Sequence, residues 1–292
     1  MSSVAVIANT EKLVKKDARA LRRAFADAGL DDVYWMEIQR GSDAKKAAKK
    51  ALKREAQTVV VCGGDGSVRA AAEALVGTSV ALAVVPSGTA NLFATGLDLP
   101  TDIDDIVKMI VSGDRRSIDS ATCNGQTFNV MAGSGLDVGM LAQAEDDKER
   151  LGTLAYVRAG AHQVRHRKLF DAKVTIDGKV FYDGDATCVL VGKLGSLKGG
   201  IKTFPEASPT DGQLHVAVVT AAGMREWASL MVSAVMRKQQ LSSHAEMAAG
   251  TEIEVTFDRK RRFELDGGVK GKAKKLEFEI NPHSLVICAL PG

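Results

Sequence analysis

Residues 58–67 read TVVVCGGDGS, an apolar run that ends in three glycines around a single aspartate. The run Thr58–Cys62 is typical of a buried strand, and a helical pattern begins at Gly66. Glycines between a strand and a helix let backbone N–H groups approach a phosphate, and the start of the helix favours negative charge. The stretch therefore predicts a phosphate-binding loop. A tight turn in which Asp65 caps the helix is the alternative interpretation.

Strands and helices alternate around this loop. Apolar runs predict buried strands at 4–8, 33–38, 58–62 and 80–85, and helical periodicity predicts helices at 11–28, 42–55, 66–76, 89–96 and 102–111. The alternation predicts a parallel sheet that helices cover on both faces, and such sheets bind ligands at the carboxyl ends of their strands. The glycine-rich loop lies at one such end, and PSGTAN (residues 86–91) lies at another.

The second half of the chain has a different pattern, in which short apolar runs are separated by Asp-Gly turn signals. We predict strands at 127–131, 173–176, 186–191, 214–219, 253–257, 262–265, 276–280 and 285–289, and helices at 151–164 and 224–237. The chain is thus expected to form an α/β domain over 1–114 and a mostly antiparallel β-sandwich domain over 115–292. The last strand is expected to return toward the first domain.

Composition narrows the classes of protein to consider. The 292 residues carry a formal net charge of +3 and are only 5% aromatic, which argues against a nucleic-acid partner. The chain starts without a signal-peptide pattern and contains no apolar run long enough to span a membrane, so we expect a cytoplasmic protein. The four cysteines are scattered, and buried small side chains explain them better than a metal or disulfide framework.

The second loop strengthens the nucleotide interpretation. Ser87, Thr89 and Asn91 supply short hydrogen-bonding groups around Gly88, at the end of a strand next to that of the first loop. Two loops of this kind could hold one nucleotide between them.

An ordered series of segments carries a resemblance over most of the chain. GGDGS (63–67) and VVPSGTANLFATGLDLP (84–100) are followed by RRSID (115–119), FNVMAGSGLDVGM (128–140), GGIKTFPEASPTDGQLHV (199–216) and FELDGG (263–268). The series resembles the diacylglycerol kinase catalytic-domain family, which includes bacterial lipid kinases and sphingosine kinases and has an NAD-kinase-like fold. The resemblance implies ATP- and Mg²⁺-dependent transfer of the γ-phosphoryl group to a lipid hydroxyl such as that of diacylglycerol, with the β-rich domain binding the lipid.

The resemblance also implies roles for residues at matching positions. Residues near the ATP phosphates would be Asn9, Gly63, Gly64, Asp65, Gly66, Ser67, Ser87, Gly88, Thr89 and Asn91. Asp65 would act as a catalytic residue beside the phosphates through Mg²⁺ or a water network, because a carboxylate and a phosphate repel each other. Asp119 matches an aspartate of a metal–water network. Asp211 matches a ligand of a structural Mg²⁺, to which the carbonyl groups of Ser208 and Gln213 would contribute.

Several positions depart from the family pattern, and Arg69 and Gly268 are two of them. Arg69 stands where the family has an asparagine, and Gly268 stands where it has a catalytic glutamate. A lipid hydroxyl that attacks the γ-phosphate needs a proton acceptor within hydrogen-bond reach, and glycine supplies none. Asp266 is a candidate base, and a turn aspartate is the equally favoured alternative. We therefore expect activity that is reduced, altered or absent relative to the family.

Other functions remain open at this stage. NAD kinases and 6-phosphofructokinases also use a Gly-Gly-Asp-Gly loop, and a pseudokinase that binds nucleotide or lipid would keep the fold without turnover. Basic runs on the helix 42–55 and at 165–168 suggest peripheral contact with an anionic membrane, although solvated helix faces explain such runs more often. The sequence also leaves a homodimer open.

Overall fold

A computed structural model describes residues 3–30, 32–135, 169–195, 203–223, 225–227 and 244–290. The chain forms two compact units, one of residues 1–120 with 281–292 and the other of residues 121–280. The predicted helix at 151–164 lies outside the described residues, as does the one at 224–237 except for residues 225–227.

The first unit is built on parallel strands in the order β4-β3-β1-β2. Its elements are β1 (Val4–Asn9), α1 (Lys15–Asp27), β2 (Val33–Ile38), α2 (Ala44–Lys53), β3 (Thr58–Gly63), α3 (Asp65–Leu75), β4 (Ala81–Pro86), α4 (Leu92–Gly96) and α5 (Ile103–Ser112). The strands β1, β3 and β4 are buried almost throughout, because helices cover both faces of the sheet. The predicted parallel α/β fold is confirmed.

Local sequence explains several helix boundaries in this unit. Asp102 caps α5 by accepting hydrogen bonds from the backbone N–H groups of Asp104 and Asp105, and Gly113 ends it in the left-handed region at φ 78°. The helix predicted at 89–96 begins only at Leu92, because Asn91 itself adopts a left-handed conformation at φ 49°. The loop 86–91 is therefore longer than its sequence pattern suggested.

The second unit is antiparallel, as predicted. Its strands are β6 (Gln126–Phe128), β7 (Met131–Ser134), β8 (Phe170–Ile176), β9 (Lys179–Ala186), β10 (Cys188–Gly192), β11 (Leu214–Val219), β12 (Ala245–Gly250), β13 (Glu252–Leu265) and the first part of β14 (Gly268–Cys288). The order β12-β11-β10-β7-β13-β14 forms one layer, and β8 and β9 continue from β13. A core of alternating apolar side chains includes the edge-to-face rings of Phe128 and Phe278, whose centres lie 6.1 Å apart. The predicted β-sandwich is confirmed.

Two strands contribute to both units along the chain. Strand β5 (Arg115–Cys123) carries the chain out of the first unit, which ends at Ser120. The long strand β14 ends in the first unit, where Ile287 pairs in parallel with Leu82 of β4. None of the helices in the described part of the chain is long and apolar enough to cross a membrane.

Candidate active site

The glycine-rich loop and the loop after β4 lie at the same edge of the parallel sheet. Gly63 pairs with Pro86 in the register of β3 and β4, so both loops begin at the same level. The backbone N–H of Ser87 donates to the carbonyl of Gly63 over 3.1 Å. The sheet thus brings the two predicted nucleotide loops together at the carboxyl ends of neighbouring strands.

Two of the predicted glycines are required by contacts inside the protein. A Cβ on Gly88 would lie 2.5 Å from the Cα of Gly64, and a Cβ on Gly63 would lie 2.8 Å from the Cβ of Ser67. Either distance is shorter than carbon atoms tolerate. The two loops therefore approach each other through bare backbone, and their glycines are explained without a ligand.

Gly66 differs from these glycines because no atom in the described part of the chain lies close to the position of its missing Cβ. It is exposed in the first turn of α3, and a Cβ there would have nothing within 4 Å. The first backbone N–H groups of a helix have no partner inside the helix, and they favour an anion. The space over this turn is open, and a side chain at Gly66 would project into it.

Asn9 and Ser67 support the glycine-rich loop through a buried hydrogen bond. Both are almost fully buried, and the Asn9 Nδ2 group donates to Ser67 Oγ over 3.1 Å. The Asn9 Oδ1 atom accepts from the backbone N–H of Glu11 over 3.1 Å. Gly41, which sequence reasoning missed, contacts the same turn, since a Cβ there would lie 3.2 Å from the Ser67 nitrogen. Its only sequence signal was a glycine just after a predicted strand.

The polar side chains of the second loop act mainly within that loop. Asn91 accepts from the backbone N–H of Gly88 through Oδ1 over 2.8 Å and donates to the Gly88 carbonyl over 3.0 Å. Ser87 Oγ donates to the Val85 carbonyl over 3.1 Å, whereas the Thr89 side chain is exposed. Thr89 is therefore the residue of this predicted set that is best placed to contact a ligand.

Asp65 links the two helices that follow the loops. Its Oδ1 atom accepts from the backbone N–H of Phe93 in α4 over 3.1 Å. Burial raises the pKa of the Asp65 carboxyl, and nearby N–H groups, with that of Phe93 first, lower it in part. Asp65 thus stabilises the start of α4, and its predicted part in a Mg²⁺ or water network stays a prediction.

Asp119 lies on β5 and is fully buried, where its Oδ1 atom accepts from the backbone N–H of His283 over 2.8 Å. In the described ranges no three acidic, histidine or cysteine side chains come together to form a metal site. Mg²⁺ in kinases is commonly bound by one or two carboxylates together with the phosphates of the nucleotide. The predicted part of Asp119 in a metal–water network therefore stays a prediction.

The candidate base Asp266 lies in the tight turn between β13 and β14. Asp266 and Gly267 have φ angles of 49° and 74°, as a two-residue type I′ hairpin requires. The carboxylate accepts from the backbone N–H groups of Asn129, Val130 and Met131 over 2.9, 2.8 and 3.2 Å. These bonds assign Asp266 the turn-supporting role that was its alternative interpretation, and its role as a base stays a prediction.

Gly268 directly follows this turn and is exposed. A Cβ there would lie 3.4 Å from the Leu265 carbonyl oxygen, which is an ordinary contact, and its φ is not positive. The backbone therefore accepts a side chain at this position, so the missing carboxylate reflects the sequence and not a lack of space.

The predicted structural Mg²⁺ site is built differently from the expectation. Asp211 accepts from the backbone N–H of Ser208 over 2.8 Å and from that of Gln213 over 2.9 Å. His215, which sequence reasoning missed, contacts the same carboxylate through Nε2 at 2.9 Å. Donor groups thus surround Asp211 where a cation would need free lone pairs, and this donor set does not fit Mg²⁺.

A nucleotide-type α/β unit and an antiparallel β-sandwich define a kinase fold of the NAD kinase and diacylglycerol kinase class. The model of the diacylglycerol kinase catalytic domain matches residues 3–123, and that of the YegS C-terminal NAD kinase beta sandwich-like domain matches residues 130–289. The chain belongs to this diacylglycerol kinase and YegS-like lipid kinase family, as its sequence motifs predicted.

Curated relatives support the same family. The chain is 28% identical to the diacylglycerol kinase of Bacillus subtilis (strain 168) over 266 residues, which are 89% of this chain and 86% of that protein. It is 30% identical to a probable lipid kinase YegS-like of Klebsiella pneumoniae (strain 342), with coverages of 86% and 84%. It is also 28% identical to the uncharacterized protein sll0036 of Synechocystis, covering 87% of this chain but only 61% of that protein.

Solved structures share the fold. A diacylglycerol kinase from Bacillus anthracis str. Sterne matches with a TM-score of 0.75 at 22% identity over 99% of this chain and 97% of that chain. An NAD kinase from Archaeoglobus fulgidus, solved in complex with ATP, matches with a TM-score of 0.57 at 11% identity over 98% and 93%.

Proposed function

We propose that the protein is an ATP-dependent lipid kinase that transfers the γ-phosphoryl group to a lipid hydroxyl such as that of diacylglycerol. The observation that carries the proposal is the open space over Gly66 at the start of α3, beside a loop whose other glycines serve internal packing. Family membership supports the kinase class, and the names of the relatives support a lipid acceptor.

The residues of the first unit would act mainly by positioning. Backbone N–H groups at the start of α3 bind phosphate oxygens, and Thr89 contributes an exposed hydroxyl from the neighbouring loop. When bound, Mg²⁺ neutralises charge that develops on the phosphates. Asp65 keeps the two loops in register through its bond to Phe93, and Asn9 supports the loop through Ser67.

Removal of the proton from the attacking lipid hydroxyl is the step for which these residues offer the least assistance. Gly268 offers no carboxylate, and Asp266 is bound by three backbone N–H groups. Phosphoryl transfer passes through a loose transition state that depends more on positioning than on a strong base. Turnover therefore persists in this proposal but is slower than where a carboxylate assists, because general base catalysis contributes about 10²–10⁴-fold.

A pseudokinase is the second candidate, and the same two observations at Gly268 and Asp266 favour it. In that case the protein binds ATP at α3 and transfers nothing. An NAD kinase or phosphofructokinase-like activity is a third candidate, which the shared fold alone supports.

The deciding experiment supplies radiolabelled ATP and Mg²⁺ with diacylglycerol vesicles, NAD or a sugar phosphate, and follows both ADP release and the labelled product. ATP binding is measured in parallel by calorimetry. Labelled phospholipid supports the proposal, and labelled NAD or sugar phosphate supports the third candidate. ATP binding without any labelled product supports the pseudokinase.

We further propose peripheral contact of the cytoplasmic protein with anionic lipid through a basic edge made of Arg22, Lys50 and Arg54 around strand β2. Residues 11–55 hold 13 Lys and Arg against 8 Asp and Glu, a net +5 within a chain of net +3. The Arg22 guanidinium lies 3.7 Å from the ring centre of Trp35, and that of Arg54 lies 3.9 Å from the ring of Tyr34. Each cation near an anionic bilayer contributes about 1 kcal/mol.

A further inference from the structure

The loop before β11 is closed by a single carboxylate. Asp211 Oδ1 accepts from the backbone N–H of Gln213, and Asp211 Oδ2 accepts from that of Ser208 and also contacts His215 Nε2. An ionised carboxylate can only accept hydrogen bonds, so the proton in the last contact belongs to Nε2 of the imidazole. Three donors thus converge on one side chain across the loop.

The imidazole is well placed for this contact. His215 is the second residue of β11 and is only 9% exposed, and its ring centre lies 6.3 Å from that of Phe204. The strand holds the backbone of His215 in register with Gly192 of β10 and Ala249 of β12. Because strand pairing and ring packing hold His215 on both sides, its Nε2 is presented to Asp211 at little entropic cost.

A divalent cation at the same carboxylate would meet unfavourable surroundings. Mg²⁺ requires six oxygen ligands in octahedral geometry. Here N–H groups approach both oxygens of Asp211, and the Ser208 carbonyl already accepts from the Asp211 nitrogen over 3.4 Å. In the part of the chain that the structure describes, no third His, Cys, Asp or Glu side chain joins this pair as a cation site.

We propose that His215 takes the place of a structural cation in this protein, so that the loop 208–213 is closed without metal. The imidazole N–H supplies a hydrogen-bond donor to the Asp211 carboxylate in place of a cation. The inference concerns folding stability without nucleotide, so it stands or fails independently of the proposed kinase activity.

Thermal unfolding of the nucleotide-free full chain tests the inference, with EDTA or with millimolar Mg²⁺. The wild type should unfold at the same temperature in both conditions. His215→Asp places two carboxylates together, so its midpoint should fall by about 5 °C or more in EDTA and recover with Mg²⁺. His215→Gln keeps an N–H donor at similar reach and should remain insensitive to Mg²⁺.

The wild type alone can overturn the inference, even if His215→Asp fails to fold. A saturable rise of its midpoint with Mg²⁺ that Asp211→Asn abolishes would show a cation bound at this carboxylate. A rise that persists in Asp211→Asn would place the cation elsewhere and would agree with the proposal. The inference would also be contradicted if Mg²⁺ raised the midpoint of His215→Gln as much as that of His215→Asp. The glutamine keeps an N–H donor, so the loss of a donor would then not explain the need for a cation.

Discussion

Gly66→Ala should separate nucleotide binding from stability. The added Cβ meets no protein atom within 4 Å and lies in the first turn of α3, where φ is not positive. Replacing glycine by alanine at a compatible position stabilises a protein by about 0.4–1 kcal/mol. In the proposed binding mode, the same methyl group occupies the space that a phosphate of ATP would take. Each lost hydrogen bond to a charged group costs about 1.5–3 kcal/mol, so ATP affinity should fall about 10- to 150-fold.

Gly88→Ala is the matched control, because the same methyl group there meets backbone. Its Cβ would lie 2.5 Å from the Gly64 Cα, and such overpacking costs about 1–3 kcal/mol. Stability and ATP affinity should therefore fall together in Gly88→Ala, whereas they should move in opposite directions in Gly66→Ala.

Urea unfolding and calorimetric ATP titration of both variants decide the matter. The reasoning fails if Gly66→Ala binds ATP as tightly as the wild type, because the space over α3 would then hold no phosphate. It also fails if Gly66→Ala is destabilised as much as Gly88→Ala, because the space would then not be open.

Three further changes have directional outcomes. Gly268→Glu should raise turnover on diacylglycerol vesicles by 10-fold or more, because the new carboxylate can act as a general base. An equal gain in Gly268→Gln, which adds no base, would contradict that reason. Asp65→Asn should unfold at pH 7 with equal or higher free energy than the wild type. Burial raises the pKa of the Asp65 carboxyl in the folded state, so ionisation of Asp65 destabilises the wild type at pH values above the unfolded pKa of about 3.9. The stability gain of Asp65→Asn should therefore vanish below that pH, and urea unfolding at a series of pH values would measure it. The pair Lys50→Gln and Arg54→Gln should weaken flotation with anionic vesicles about 30-fold while Lys108→Gln does not, and equal losses would argue against the basic edge.

The fold could be predicted because its signals are local. Apolar runs predicted β1, β3 and β4. Helical periodicity predicted α5, whose start and end Asp102 and Gly113 mark by the usual capping rules. The start of α4 was predicted at residue 89 instead of Leu92, because the sequence does not show that Asn91 adopts a left-handed conformation. Local patterns thus identify elements well and place their boundaries less well.

Contacts distant in sequence were out of reach. The Gly64–Gly88 approach, the Asp65–Phe93 bond and the bonds from Asp266 to residues 129–131 join positions that only the folded sheet brings together. His215 was missed for the same reason, since a lone histidine in an apolar run carries no sign of the carboxylate that it meets.

The carboxylates show why a sequence alone does not separate a catalytic or metal-binding aspartate from one that supports a loop. Asp65, Asp211 and Asp266 each stand beside a glycine, and each was assigned to a base or a metal. The assignment of Asp211 came from the family resemblance, and that of Asp266 came from its place two residues before Gly268. The structure shows that each accepts backbone N–H groups, since a loop that turns sharply leaves such donors without partners. A catalytic carboxylate must keep lone pairs free for substrate, and an exposed side chain at position 268 would satisfy that condition without disturbing the turn. The gain of function at Gly268 is therefore the most direct test of which carboxylates this fold can use for chemistry.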